Sequence, residues 1–219
     1  MKYKLLIFDM DGTILNTLED IATSTNYALK VHRFPERTRE EIRAFVGNGT
    51  FLLIERACPA GTDEKTIRAV YETFTPHYNE HCSERTKPYS GIIKAIETIR
   101  SMGIKTAVLS NKPDAAVKEL CKKWFPNLFD YEIGSRPNVP NKPAPDSVNE
   151  IISRLSLKKD EVAYIGDSDV DVETASNANI DCIGVEWGFR GREFLLQHGA
   201  KVTVKNAEEL LEYFKTENA

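Results

Sequence analysis

Leu5, Leu6, Ile7 and Phe8 form an unbroken apolar run that stops at Asp9-Met10-Asp11-Gly12. The pattern predicts a buried strand that ends in a turn. From Leu18 to Arg85-Thr86 the period changes to that of a helix. Leu18, Ile21, Ala22, Ala28 and Leu29 recur at helical spacing, as do Ile42, Phe45 and Val46, and then Ile67, Val70, Tyr71, Phe74 and Tyr78. No strand is predicted between residues 15 and 87. Beyond Pro88 short apolar runs alternate with helical patterns. Helices are predicted at 92–102, closed by Gly103, from Pro113 onward, and at 145–155. Strands are predicted at 104–109, 131–134, 162–165, 182–185 and 202–204. Strands alternating with helices in this way predict an α/β fold, a doubly wound parallel sheet covered on both faces. The core is discontinuous, residues 1–14 and 88–219, and a helical module of residues 15–87 interrupts it.

The 219 residues are 41% hydrophobic and 28% charged, enough to bury a sizeable core. A net charge of −4 argues against a broad nucleic-acid surface, which needs clustered Lys and Arg. The apolar run at the N-terminus is too short for a signal or membrane segment. Cys58, Cys82, Cys121 and Cys182 are scattered and form no CxxC pair, so free thiols in a reducing compartment, the cytoplasm, are expected.

Ligands of doubly wound sheets bind beyond the carboxyl ends of the strands. Four polar stations fall at or beside such ends. Asp9-Met10-Asp11-Gly12-Thr13 offers two carboxylates that can divide labour between nucleophile and proton carrier. Gly12 there permits a tight turn bringing backbone amides near a phosphate. Four such fixed letters arise by chance in about a few chains per thousand of this length. Ser110-Asn111 offers a hydroxyl and an amide to phosphoryl oxygens, although the pair taken alone reads better as a helix cap ahead of Pro113. Lys142, its backbone restricted by the following proline, offers a point charge. Gly166-Asp167-Ser168-Asp169-Val170-Asp171 places Asp167 and Asp171 where a strand gives way to a helix, an oxygen-rich setting suited to magnesium. Alone, that last spacing recurs by chance in roughly one chain in twenty.

In order, the four stations resemble the haloacid dehalogenase superfamily, whose phosphatases carry DxDG[TS], a later Ser or Thr, a Lys and an acidic GDxxxD-like motif. The resemblance implies a Rossmann-like core with a small helical cap. Residues 9–17, Val46-Gly47-Asn48-Gly49, Lys142-Pro143-Ala144-Pro145 and Ile183-Gly184-Val185-Glu186-Trp187-Gly188 look most like its phosphoglycolate phosphatase branch. By resemblance, Asp9 is the nucleophile and Asp11 the acid and base. Magnesium is held by Asp9, the Asp11 main chain, Asp167 and, directly or through a neighbour, Asp171. Ser110, Asn111, Lys142 and Gly12 serve the phosphate. Asn16, Asn179 and Phe189-Arg190 depart from the usual pattern without touching these stations.

The expected activity is hydrolysis of a small phosphomonoester through an aspartyl phosphate. Pyrophosphate, a nucleotide or a sugar phosphate are the rival substrates, and an inactive phosphate-binding protein is the rival of a different class. The expected partner is a small phosphorylated metabolite, bound by a monomer or homodimer, without nucleic acid or membrane. In the insert, Gly47-Asn48-Gly49 reads as a loop closing over substrate, with Arg43 as a partner for a substrate carboxylate. His77 and His81 share metal-compatible spacing but have no third ligand nearby, and read as a solvated helix face.

Overall fold

A computed structural model describes residues 2–218. Its centre is β1 (Leu5–Phe8), buried at all four positions. Leu6 and Phe8 point into one hydrophobic cluster, Leu5 and Ile7 into another. This is the alternation of a strand covered on both faces.

The chain leaves β1 through β2 (Leu15–Asn16) into four helices, α1 (Leu18–Val31), α2 (Arg39–Phe45), α3 (Thr50–Ala57) and α4 (Glu64–His81), and returns through β3 (Lys87–Pro88). Then follow α5 (Ile92–Ser101), β4 (Lys105–Pro113), α6 (Asp114–Trp124), β5 (Tyr131–Ser135), α7 (Asp146–Arg154), β6 (Val162–Gly166), α8 (Asp169–Ala178), β7 (Asp181–Val185), α9 (Arg192–Gln197), β8 (Val202–Val204) and α10 (Ala207–Glu217). Six strands pair in the order β5-β4-β1-β6-β7-β8, every pairing parallel. The chain therefore winds outward from β1 in both directions, and the carboxyl end of β1 lies where the winding reverses. Among the described residues no helix is long and apolar enough to cross a membrane.

Three local expectations are corrected. Residues 15–87 are not free of strand, because β2 pairs antiparallel with β3, Leu15 opposite Pro88 and Asn16 opposite Lys87. Two residues a side are too few to leave a period-2 signature. Next, β4 does not stop at Leu109 but runs on to Pro113. Ser110 and Asn111 are therefore strand residues and not a helix cap. Finally, α6 opens at Asp114, one residue later than expected, with Pro113 as its cap. Asn179 ends α8 in the left-handed conformation (φ 55°), which asparagine tolerates better than most residues.

The helical segment folds on its own apolar stripe. Ile67, Val70, Phe74 and Tyr78 are the buried face of α4, whose first turn Asp63 caps by accepting the Thr66 N–H at 3.0 Å. His77 donates to or accepts from Ser24 at 3.0 Å and stacks on Tyr27, while His81 contacts Glu84 at 2.6 Å. His77 is thus partly packed against α1 and not simply solvated.

At the return to the core, buried Asp20 accepts the main-chain N–H groups of Arg85 and Thr86 at 2.8–3.1 Å. Asp20→Ala leaves both donors without their acceptor and is expected to cost about 1–3 kcal/mol. A urea midpoint indistinguishable from that of the parent would refute this.

Candidate active site

Asp9 follows β1 directly and Asp167 follows β6, its neighbour in the sheet. Parallel pairing thus delivers both carboxylates to one edge. Oxygens of Asp9, Asp167 and Asp171 lie within 4.8 Å of one another, all three residues buried. Burial pushes the Asp9 carboxyl up from its ordinary range, as do the charges of Asp171 and Asp11, against the pull of Lys142. Burial likewise pushes Asp167 up, with Asp171 and Asp9 adding to it. The cluster carries more negative charge than its surroundings balance, and its donors are all oxygen. It suits a hard divalent cation.

Each acid is held differently. Asp167 Oδ1 accepts the Thr13 hydroxyl at 3.1 Å and Oδ2 the Phe189 N–H at 2.7 Å. Asp171 is an organiser. Its Oδ2 accepts the N–H groups of Asp167 and Ser168 and the Ser168 hydroxyl, at 2.7–3.1 Å, and its Oδ1 takes the Lys142 ammonium at 2.7 Å. Lys142 also lies 2.9 Å from Asp9 Oδ1. Burial works against the Lys142 charge, but Asp171 and Asp9 outweigh it and hold the ammonium well above its ordinary range.

Glycines make room for this crowding. A Cβ on Gly12 would stand 2.3 Å from Asp167 Oδ2, and one on Gly188 2.2 Å from Asp167 Cβ. Gly12 has φ +85° and its N–H donates to Leu15 O at 2.9 Å. Its amide is committed to the turn, so its contribution is the missing side chain, not the phosphate contact expected of it.

Ser110 is buried and lines the same pocket as Asp9, Asp11, Asp167 and Lys142. Asn111 lines it too, but its amide is fully engaged. Its Nδ2 donates to Lys142 O at 2.9 Å and Gly47 O at 3.1 Å, and its Oδ1 accepts the Lys142 N–H at 2.8 Å. Asn111 therefore clamps the Lys142 loop to the helical insert, instead of offering a free amide to phosphate.

The insert closes the pocket with Val46, Gly47, Gly49, Thr50, Leu53 and Tyr78. Asn48 lies between two lining glycines but is not itself part of the wall. Arg43 is also outside it. In place of the expected carboxylate partner, Arg43 finds main-chain carbonyls, donating to Phe189 O at 2.5 Å and Gly188 O at 3.0 Å. Arg190 reciprocates from the core, donating to the carbonyls of Arg43, Ala44 and Val46 at 2.8–3.1 Å. Two arginines thus fasten insert to core by ion–dipole contacts, with no acid between them.

Sequence reasoning missed three participants. Lys112, almost wholly buried, sits 3.0 Å from Asp11 Oδ1 and donates to the Tyr78 hydroxyl. Phe189 supplies an N–H to Asp167, and Gly188 supplies clearance. Lys112 directly follows the Ser110-Asn111 station, its one signal, but it lies past the predicted end of the strand at Leu109. Gly188 closes the Ile183–Gly188 run and Phe189 follows it, but a backbone N–H and a clearance requirement leave no mark on composition; contrary to expectation, Phe189 does touch the Asp167 station.

The comparisons with known proteins agree with this geometry. Residues 6–185 match the family model described as haloacid dehalogenase-like hydrolase. A phosphoglycolate phosphatase of Mannheimia succiniciproducens is 29% identical over 197 residues, covering 86% of this chain and 88% of that one. An N-acetylmuramic acid 6-phosphate phosphatase of Pseudomonas aeruginosa is 27% identical over 97% of this chain and 95% of its own. A solved structure from Lactobacillus delbrueckii subsp. bulgaricus, a candidate phosphoglycolate phosphatase, superposes with a TM-score of 0.93 at 38% identity, covering 97% of this chain and 98% of that one. With a family match across most of its length and the acids of the family pattern gathered at the end of its central strand, the chain belongs to the haloacid dehalogenase-like hydrolases.

Proposed function

We propose that this chain is a magnesium-dependent phosphatase of small phosphomonoesters, that 2-phosphoglycolate is its best-supported substrate, and that Asp9 is its nucleophile. One observation carries the reading. Asp9 lies at the carboxyl end of the central strand, between the Lys142 ammonium and a cluster of carboxylates, in a pocket closed by the insert. Phosphoryl transfer depends mostly on in-line positioning and charge neutralisation, and this arrangement supplies both.

A carboxylate oxygen of Asp9 attacks phosphorus, and the bond from phosphorus to the ester oxygen breaks. Asp11 gives its proton to the departing oxygen. In the second half, Asp11 takes a proton from water as that water attacks the aspartyl phosphate, and the bond from Asp9 to phosphorus breaks to release phosphate. Lys142 and Ser110 hold the phosphoryl oxygens, while Asp171 fixes Lys142 and the Asp167 main chain. Asp9, the Asp11 carbonyl and Asp167 would hold magnesium, which when bound screens nucleophile and phosphate from mutual repulsion.

The names of relatives point to phosphoglycolate in several cases and to an amino-sugar phosphate in one. The shape of the cavity supports the first. The pocket beneath the closed insert is narrow, its wall completed by Gly47, Gly49, Leu53 and Tyr78, and this supports a two-carbon ester over a sugar. In a screen of phosphorylated metabolites with magnesium, kcat/KM for 2-phosphoglycolate is expected to exceed that for sugar phosphates at least tenfold, and excess chelator to remove all activity. Turnover that persists in chelator would refute the metal requirement. Hydrolysis of no phosphomonoester would refute the function.

A further inference from the structure

The site contains a second buried ammonium that this mechanism leaves without a task. Lys112 is 3% exposed and reaches the pocket from β4, beside Ser110 and opposite the apolar side chains Ile21, Val46, Leu53 and Phe189. An ammonium buried against apolar walls is costly unless fully partnered. Lys112 has three N–H donors, and among the described residues two acceptors are present, Asp11 and Tyr78. One donor is left without an acceptor, on a side chain that lines the cavity. Tyr78 is in the same position. Its oxygen accepts from Lys112, which leaves the phenol O–H free to donate, and burial pushes its ionisation upward, so the proton stays in place.

We infer that Lys112 and Tyr78 form the receptor for a carboxylate of the substrate, on the far side of the ester from Lys142. The inference rests on the phosphatase reading above and narrows its substrate to phosphate esters that carry a carboxylate on the carbon bearing the ester oxygen. Placement supports it: Ser110 and Lys112 stand two residues apart on β4 and both line the pocket, so a group held at Ser110 has Lys112 as a near neighbour. The proximity of Asp11 is no obstacle, because this site already shows one buried ammonium shared by two carboxylates: Lys142 lies 2.9 Å from Asp9 and 2.7 Å from Asp171.

The other cation in the wall is not available. Arg190 has its terminal nitrogens on three main-chain carbonyls. Because Tyr78 belongs to the insert and Lys112 to the core, the receptor exists only when the two are closed together. A substrate carboxylate would then stabilise closure directly.

The test compares kcat/KM for 2-phosphoglycolate with that for its primary amide, an uncharged isostere. The acid is expected to be favoured about 10–100-fold, the range of a charge-assisted hydrogen-bonded pair in a dry site. Tyr78→Phe should reduce this preference several-fold, mainly through KM of the acid, and Lys112→Met should bring it close to one. If both variants slow the two substrates equally and leave the preference intact, the pair merely holds Asp11 and the inference is overturned. A parent enzyme that hydrolyses both without preference overturns it as well, while the phosphatase reading stands. If neither ester is hydrolysed, that reading fails and takes the inference with it. Should Lys112→Met fail to fold, the preference shown by Tyr78→Phe decides alone.

Discussion

Replacing Asp9 by Asn is expected to lower kcat by roughly 10⁴-fold or more, because no neighbouring group can replace an attacking carboxylate oxygen. Asp11 is the nearest alternative in sequence, but its Oδ1 is paired with Lys112 at 3.0 Å, and the proposed mechanism uses it as the proton carrier. The fold should survive and even gain. Burial and the charges of Asp171 and Asp11 already push Asp9 toward its neutral form, so a neutral amide there relieves repulsion, while Lys142 keeps its 2.7 Å contact with Asp171. The measurements are steady-state rates and a melting curve on the same preparation, with the mass checked for deamidation back to Asp. A variant that retains more than about one-hundredth of the parent rate, set against the loss expected on removing a nucleophile, would rule out Asp9 as the attacking group.

Lys142→Met should have the opposite effect on stability. It removes the cation that faces Asp9 and Asp171 and leaves buried carboxylates without their counter-charge. Breaking a buried pair in this way costs about 3–5 kcal/mol. For a chain of this size that corresponds to a fall in Tm of about 6–20 °C. Millimolar magnesium should recover part of the loss, since a divalent cation bound among the same carboxylates favours the folded state by mass action. Scans in chelator and in magnesium check both halves. An unchanged Tm in chelator would show that the pair contributes nothing to folding. Equal Tm values in the two conditions would show that no cation binds the variant cluster.

The sheet was legible in the sequence because its strands are short apolar runs whose side chains find burial on either face, so Leu5, Leu6, Ile7 and Phe8 needed no distant partner to be recognised. Asp9 and Asp167 were legible for the same reason, since each directly follows such a run. Lys112 was not, because β4 continues past its apolar segment through Ser110-Asn111-Lys112, polar residues that read as loop. The join between insert and core was misread at Arg43 in the insert and at Asn111 in the core. Both side chains bind main-chain carbonyls across the closure, Arg43 to residues 145 and 146 positions away. A carbonyl is present at every position and gives a sequence reader nothing to match. What Arg43 does was therefore set by how insert and core close together, which no local pattern contains.

The central place of β1 bears on how the chain is made. Leu5 pairs with Lys105 on one side and Val162 on the other, so the first strand synthesised has no sheet partner until about a hundred further residues exist. At about 5–20 residues per second, that is a wait of roughly 5–20 s for an uncovered apolar segment. The helices between Leu18 and His81 emerge in that interval, and their buried face includes contacts among α1, α2, α3 and α4 that need nothing downstream. The insert can therefore fold before the sheet is complete, and ribosome-bound chains long enough for His81 to have left the ribosome would be the place to look for it already folded.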